Sequence, residues 1–149
     1  MTVQVVMPQL EILGSVIIAM ILGGIIGFER EHADKPAGLR THMLVAGAAT
    51  LLVSLGSALV ATVEINPSLI RSDPIRIVEA IITGISFLGA GTIMRRRGEG
   101  NVEGLTTAAS LLFVAGIGIA VGTGQYVTAV GMTLLGLLVL YPVNALTKN

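Results

Sequence analysis

Asp73, Arg76 and Glu79 set two carboxylates around a guanidinium at intervals of three residues, the arrangement in this chain best placed to do chemistry. On one helix they share a sector and descend about 9 Å from first to last, so Arg76 can bridge both carboxylates. They open the segment DPIRIVEAIITGISFLGAGTIMRRRGEGNVEGLTTAAS, which is otherwise apolar until its arginines. Charges at the head of a lipid-soluble helix are costly and call for an explanation. One reading is structural: Asp73 caps the helix, Pro74 takes its first position, Arg76 extends toward water and Glu79 bonds to a neighbouring helix. The other is functional, an entrance for an ion or proton from the outer side. Both require Glu79 to face protein or a cavity.

Two polar loops carry the remaining candidates. In RRRGEGNVEGLTTAAS, Arg95, Arg96 and Arg97 act first as orientation signals beside anionic lipid. Asn101 is harder to assign to orientation, because an uncharged amide between glycine-containing turns both donates and accepts hydrogen bonds. Glu103 can offset the arginines, and Thr106 and Thr107 are placed to cap the next helix or reach a neighbour. In GFEREHADKPAGLRTH, Glu29, Arg30, Glu31, His32, Asp34, Lys35, Arg40, Thr41 and His42 crowd into one short span. His32 and His42 lack the i, i+4 spacing of a helical metal pair, which favours ordinary interfacial histidines over a metal or pH-sensing site. The identity of any bound metal is left open, and no cofactor is expected.

Small residues mark where helices can meet closely. Gly84, Ser86, Gly89, Ala90 and Gly91 either pack against another backbone or belong to a locally unwound helix that exposes carbonyls to a cation. Gly23 with Gly27, and Gly118 with Gly122, form GxxxG pairs that serve internal packing or a homodimer seam. There is no HExxH, Walker loop or GxSxG pattern, and no cysteine, so the chain is not read as an enzyme.

The elements that position these residues follow from composition. Of 149 residues, 53% are hydrophobic and 12% charged, too little polar surface to coat a soluble globule of this size. The net charge is zero, so no nucleic-acid partner is implied. The fold class expected is all-α and polytopic, a single transmembrane domain over residues 1–149 with the lipid bilayer as its main solvent. Five apolar runs, Leu10–Phe28, Thr41–Val63, Ile75–Met94, Leu105–Val121 and Tyr126–Leu146, each have the length to span. Merging the last two through Gly122 and Gly124 would make one span far too long. Arg30, Lys35, Arg40, Arg95, Arg96, Arg97 and Lys148 then fall on one side, against Arg71 and Arg76 on the other, which predicts an outside N-terminus and a cytoplasmic C-terminus. The N-terminus lacks a basic n-region and a cleavage site, so the first run is expected to remain as an anchor.

An offset of 66 residues aligns Leu22-Gly23 with Leu88-Gly89, Arg30 with Arg96, Gly38-Leu39 with Gly104-Leu105, Thr41 with Thr107 and Gly56 with Gly122. Helices 1-2 and 3-4 are thus candidate parallel copies of one hairpin, with the fifth helix outside the repeat, although glycine and leucine agree often by chance. If the copies are real, the two polar loops lie side by side.

GGIIGFERE with KPAGLRTHMLVAGAA, then DPIRIVEAIITGISFLGAGTIMRR and GNVEGLTTAASLLFVAGIGIAVGTGQY, resemble the membrane domain of the MgtC/SapB family. The resemblance covers the chain from its first helix through its fifth. It implies a multi-pass protein of the bacterial inner membrane, associated with growth in scarce magnesium, acid stress and virulence through survival inside phagocytes. It further implies restraint of the proton-translocating ATP synthase as a membrane partner, with family members not established as magnesium transporters. Beside the resemblance, the reading of the chain as acting through helix contacts expects a homo-oligomer, a dimer. Carried over by position, Asn101 matches the family's functional asparagine. Asp73, Pro74 and Arg76 match its Asp-Pro-x-Arg, and Glu29, Arg40 and Thr41 match its first-loop pattern. Longer relatives append a soluble cytoplasmic domain beyond the point where this sequence ends. The competing reading of the residues is a transporter or channel for a cation or protons.

Overall fold

The computed structural model describes residues 2–62, 74–95 and 102–146. Five helices fall at the five apolar runs: α1 (Thr2–His32), α2 (Leu39–Thr62), α3 (Pro74–Thr92), α4 (Leu105–Gly122) and α5 (Tyr126–Leu146). The spans of α1 to α4 are long and apolar enough to cross a bilayer, and α5 runs for 21 residues. Large apolar side chains such as Leu13, Ile17, Phe28, Leu59, Phe87 and Leu138 cover the outside of the bundle, as lipid requires. The all-α expectation holds apart from one two-stranded ribbon. Met94 and Arg95 (β1) pair antiparallel with Val102 and Glu103 (β2) in the arginine-bearing polar loop.

Helix ends follow local chemistry. Pro74 is the first residue of α3, where a missing N–H costs nothing; Asp73, its expected cap, lies outside the described residues. At α4 the cap position is held by Gly104 rather than a threonine hydroxyl. Its φ of 90° is left-handed, and a side chain there would collide with the Thr92 carbonyl. α2 is capped from a distance: the Leu39 N–H donates to a Glu31 carboxylate oxygen at 2.8 Å, which puts an anion at the positive end of the helix.

α4 touches all four other helices and is the hub of the bundle. α1 and α2 pack antiparallel, and α2 and α4 lie side by side in the same direction, since residues 42 and 50 of α2 meet 110 and 118 of α4. Buried Ala19, Leu22 and Ile26 on α1 meet Val45, Ala46 and Ala49 on α2 and Val114 and Ile117 on α4 in one apolar core. Equivalent contacts recur at the proposed repeat offset: a Cβ on Gly23 would meet the His42 carbonyl, and one on Gly89 would meet Ala108. α5 packs outside the two hairpins, with Gly136 against Phe113 and Ile26, and the Tyr126 hydroxyl lies 3.1 Å from that of Ser15.

The GxxxG pairs are used internally. Gly23 and Gly27 admit α2, their absent side chains replaced by Ala46, His42 and Leu39; Gly118 and Gly122 admit α2 from the other side, against Ala46, Ala49, Thr50 and Val53. The expectation that they form a homodimer seam is therefore corrected: a face filled by a helix of the same chain has no room for another. α3 is one continuous helix, which also removes the unwound-helix reading of Gly84 to Gly91. Within it Gly89 abuts Ala108, whereas Gly84 and Gly91 meet nothing within 4 Å.

These contacts predict a sharp contrast between two glycines of α4. A Cβ on Gly118 would overlap the backbone of Ala46 and approach Ala49 to 2.9 Å, while one on Gly116 meets nothing within 4 Å. Gly118→Ala should cost about 1–3 kcal/mol of stability through overpacking. Gly116→Ala should be neutral or slightly stabilising. Thermal unfolding of the two variants in detergent reads the difference directly.

Candidate functional site

The buried ionic and polar groups gather where α1 ends and α2 begins. Arg30 follows Ala19, Leu22, Gly23 and Ile26 at three- and four-residue steps, so the stripe that faces the core ends in a guanidinium. Its side chain is 1% exposed and pairs with Glu29, 12% exposed, through two bonds: Nε to Oε2 at 2.5 Å and Nη2 to Oε1 at 2.7 Å. A fork against a carboxylate is the strong form of this pair, and it keeps a charge tolerable away from water.

His42 continues the buried stripe of α2 in the same way, ahead of Ala46, Ala49 and Val53. It is fully buried. Its Nδ1 lies 2.9 Å from the Gly38 carbonyl, which only accepts, so Nδ1 carries a proton. Its Nε2 lies 3.0 Å from Ser110 Oγ on α4, and that hydroxyl is also 2.8 Å from the Thr107 carbonyl. Two proton arrangements satisfy these distances. With a neutral ring, Ser110 donates to Nε2. With a protonated ring, Nε2 donates to Ser110, which turns its own proton to Thr107. Both arrangements fit one set of heavy-atom positions.

Two helical turns further on, Thr50 Oγ1 donates toward the Ala46 carbonyl at 3.0 Å and the Gly118 carbonyl at 2.7 Å, a second polar tie between α2 and α4. Among the described residues, no buried side-chain nitrogen or oxygen lacks a hydrogen-bond partner. No group of three histidine, aspartate or glutamate residues among them could hold a metal ion.

The residues singled out from the sequence are distributed unevenly around this cluster. Glu29 is in it, and Thr107 is 1% exposed with its carbonyl engaged by Ser110. Arg40 and Thr41 are exposed on the first turn of α2, so Thr41 and Thr107, aligned by the repeat, occupy different environments. Asp73 and Asn101 lie outside the described residues, as does most of the arginine loop. Arg76 and Glu79 are both exposed, and no ion pair joins them among the described residues. The expected bridge to Glu79 is thus absent, and Glu79 looks outward from α3 instead of facing a cavity. The space beside α3 is a groove of about 520 Å³ against α2, walled by Ala48, Leu52, Ile77, Ile81, Ile85 and Leu88, with Arg76 at the end where α3 begins.

Arg30 and His42 stand in the sequence only as members of the crowded first loop, His42 as an ordinary interfacial histidine, and Ser110 is not singled out there. Their signal was helical phase: each falls on the buried stripe of its own helix, and a polar residue on that stripe must find a polar partner.

Replacing Arg30 takes the forked guanidinium away from a poorly solvated carboxylate. Arg30→Ala should destabilise the bundle by about 3–5 kcal/mol, and the double variant Glu29→Gln/Arg30→Met should lose less than the single. Unfolding in detergent measures both, and an Arg30→Ala protein as stable as the parent would show that the pair is incidental.

Comparison with known proteins matches residues 16–149 to the model of the MgtC family. Protein MgtC of Salmonella typhimurium is 45% identical over 119 residues, covering 78% of this chain and 46% of that protein. A Haemophilus influenzae protein is 42% identical over 130 residues, covering 85% and 53%. The Escherichia coli protein named "Putative magnesium transporter YhiD" is 37% identical over 137 residues, covering 92% and 62%. The chain spans about half the length of the curated relatives it matches. Comparison with solved structures yields no match. With its helical membrane-spanning architecture and nearly its whole length matched, the chain belongs to the MgtC family.

Proposed function

We propose that this chain is a membrane domain linked to magnesium handling and stress adaptation in a bacterial inner membrane, and that it works by contact between helices rather than by conducting ions. The observation that carries this reading is the use made of its buried polar groups. Glu29 and Arg30 neutralise each other at the end of α1, and His42 with Ser110 and Thr50 with the Gly118 carbonyl tie α2 to α4. The names of the relatives support the link to magnesium. The family resemblance supports roles under low magnesium, in acid and in virulence, with the proton-translocating ATP synthase as the membrane partner, and the contact reading adds a dimer as the working form. The charge distribution supports an outside N-terminus with the arginine loop in the cytoplasm.

A cation transporter is the second reading. It is favoured by the name of the Escherichia coli relative and by Arg76 at the end of the α2–α3 groove, with Glu79 on the same helix. Liposomes containing the purified protein separate the two. Under the contact reading they show no magnesium or proton flux above empty liposomes, whereas flux that disappears in Glu79→Gln would establish transport.

Asn101→Ala should insert and fold like the parent yet lose at least tenfold in its effect on growth in low magnesium. Equal losses of folded protein and of activity would mark Asn101 as structural.

A further inference from the structure

With both GxxxG pairs spent inside the bundle, α3 keeps a polar face that, among the described residues, no other helix of the chain covers. Arg76, Glu79, Thr83, Ser86 and Ala90 follow one another at alternating steps of three and four residues, and every one is exposed. They run down the side of α3 away from Ile81 and Gly89, which meet the rest of the bundle. α3 is also the least enclosed of the four helices long and apolar enough to span. A carboxylate and two hydroxyl side chains on one lipid-level stripe find no partner in hydrocarbon. The Thr83 hydroxyl turns back on the Glu79 carbonyl at 2.8 Å, as an isolated threonine in a helix does, and the Glu79 carboxylate has no such recourse.

We propose that this stripe is the seam on which a second copy of the chain docks, α3 against α3, parallel and related by a two-fold axis along the membrane normal. Alternating three- and four-residue spacing keeps two parallel helices in register along their length. Small side chains at Thr83, Ser86 and Ala90 let the backbones approach, which is how helices associate in lipid. The charges select the partner. A two-fold axis sets Arg76 of each copy one layer from Glu79 of the other, so the stripe is its own complement and both carboxylates gain a guanidinium. The seam gives the dimer of the contact-based reading a location, and rests on that reading for its purpose.

The chain contains no cysteine, so single cysteines can be placed without background. In oxidised membrane vesicles, Thr83→Cys, Ser86→Cys and Ala90→Cys should each form a covalent dimer, while Leu88→Cys beside the groove and Leu138→Cys on α5 stay monomeric. Adding Arg76→Glu to Ser86→Cys should cut the dimer yield at least fivefold, and adding Glu79→Arg to that protein should restore it. Seam cysteines that cross-link no better than Leu88→Cys would overturn the proposal, as would a product heavier or lighter than two copies. Failure of the charge-reversed protein to regain the dimer would also overturn it. A protein that conducts no ions yet stays monomeric would sink the seam and leave the contact reading in place.

Discussion

The closeness of α2 and α4 is the constraint on which the rest of the bundle depends. Two parallel helices whose backbones come near enough for the Thr50 hydroxyl to reach the Gly118 carbonyl at 2.7 Å cannot carry side chains between them. Gly118 and Gly122 clear one side, and Ala46 and Ala49 the other. In lipid the hydrophobic effect does not press helices together, so association depends on such close packing and on hydrogen bonds between helices. The α2–α4 contact has both. α1 then fits against the pair through Gly23 and Gly27, α3 rests on α4 through Gly89, and α5 closes the remaining side through Gly136.

The polar cluster grows out of the same geometry. His42 and Ser110 meet because α2 and α4 are brought together two helical turns away, and the same displacement of 68 residues relates Thr50 to Gly118. Arg30 is buried because it stands where the core stripe of α1 reaches the turn, and Glu29 beside it supplies the compensating charge. Glu31 leaves the cluster to cap α2. The first polar loop therefore divides its charges between holding the helix ends and filling the interior, and its remaining members, such as Arg40 and Thr41, are left to the surface. A proton on His42 Nε2 would reverse its bond with Ser110 and turn the Ser110 hydroxyl to the Thr107 carbonyl, and either arrangement ties α2 to α4.

Comparison with the second hairpin shows how far likeness at the level of sequence extends. The contacts of Gly23 with residue 42 and of Gly89 with residue 108 are equivalent under the offset of 66. The first hairpin nonetheless buries an arginine and a histidine, and the second places alanine at the position of His42 and leaves Arg76 and Glu79 outside. One hairpin has been specialised to hold the bundle. The other keeps a charged and hydroxylated face.

Five helices, their approximate limits, the membrane as solvent and the family could all be read from the chain alone. Runs of about 20 apolar residues are a property of the sequence itself, and Pro74 marks a helix start by its own ring geometry. Which face each helix buries was readable only in part. A GxxxG pair states that something comes close and not what, so Gly23, Gly27, Gly118 and Gly122 were equally compatible with a second copy; the fold assigned them to α2. Spacing alone let Arg76 bridge Asp73 and Glu79, and the rotation of α3 against α4 turned Glu79 outward instead. Arg30, His42 and Ser110 are far apart in sequence or unremarkable in type, and their partnership depends on which helices become neighbours. That choice belongs to the packing of whole helices, because in lipid every face is apolar enough to be buried and only the fit of backbone to backbone decides among them.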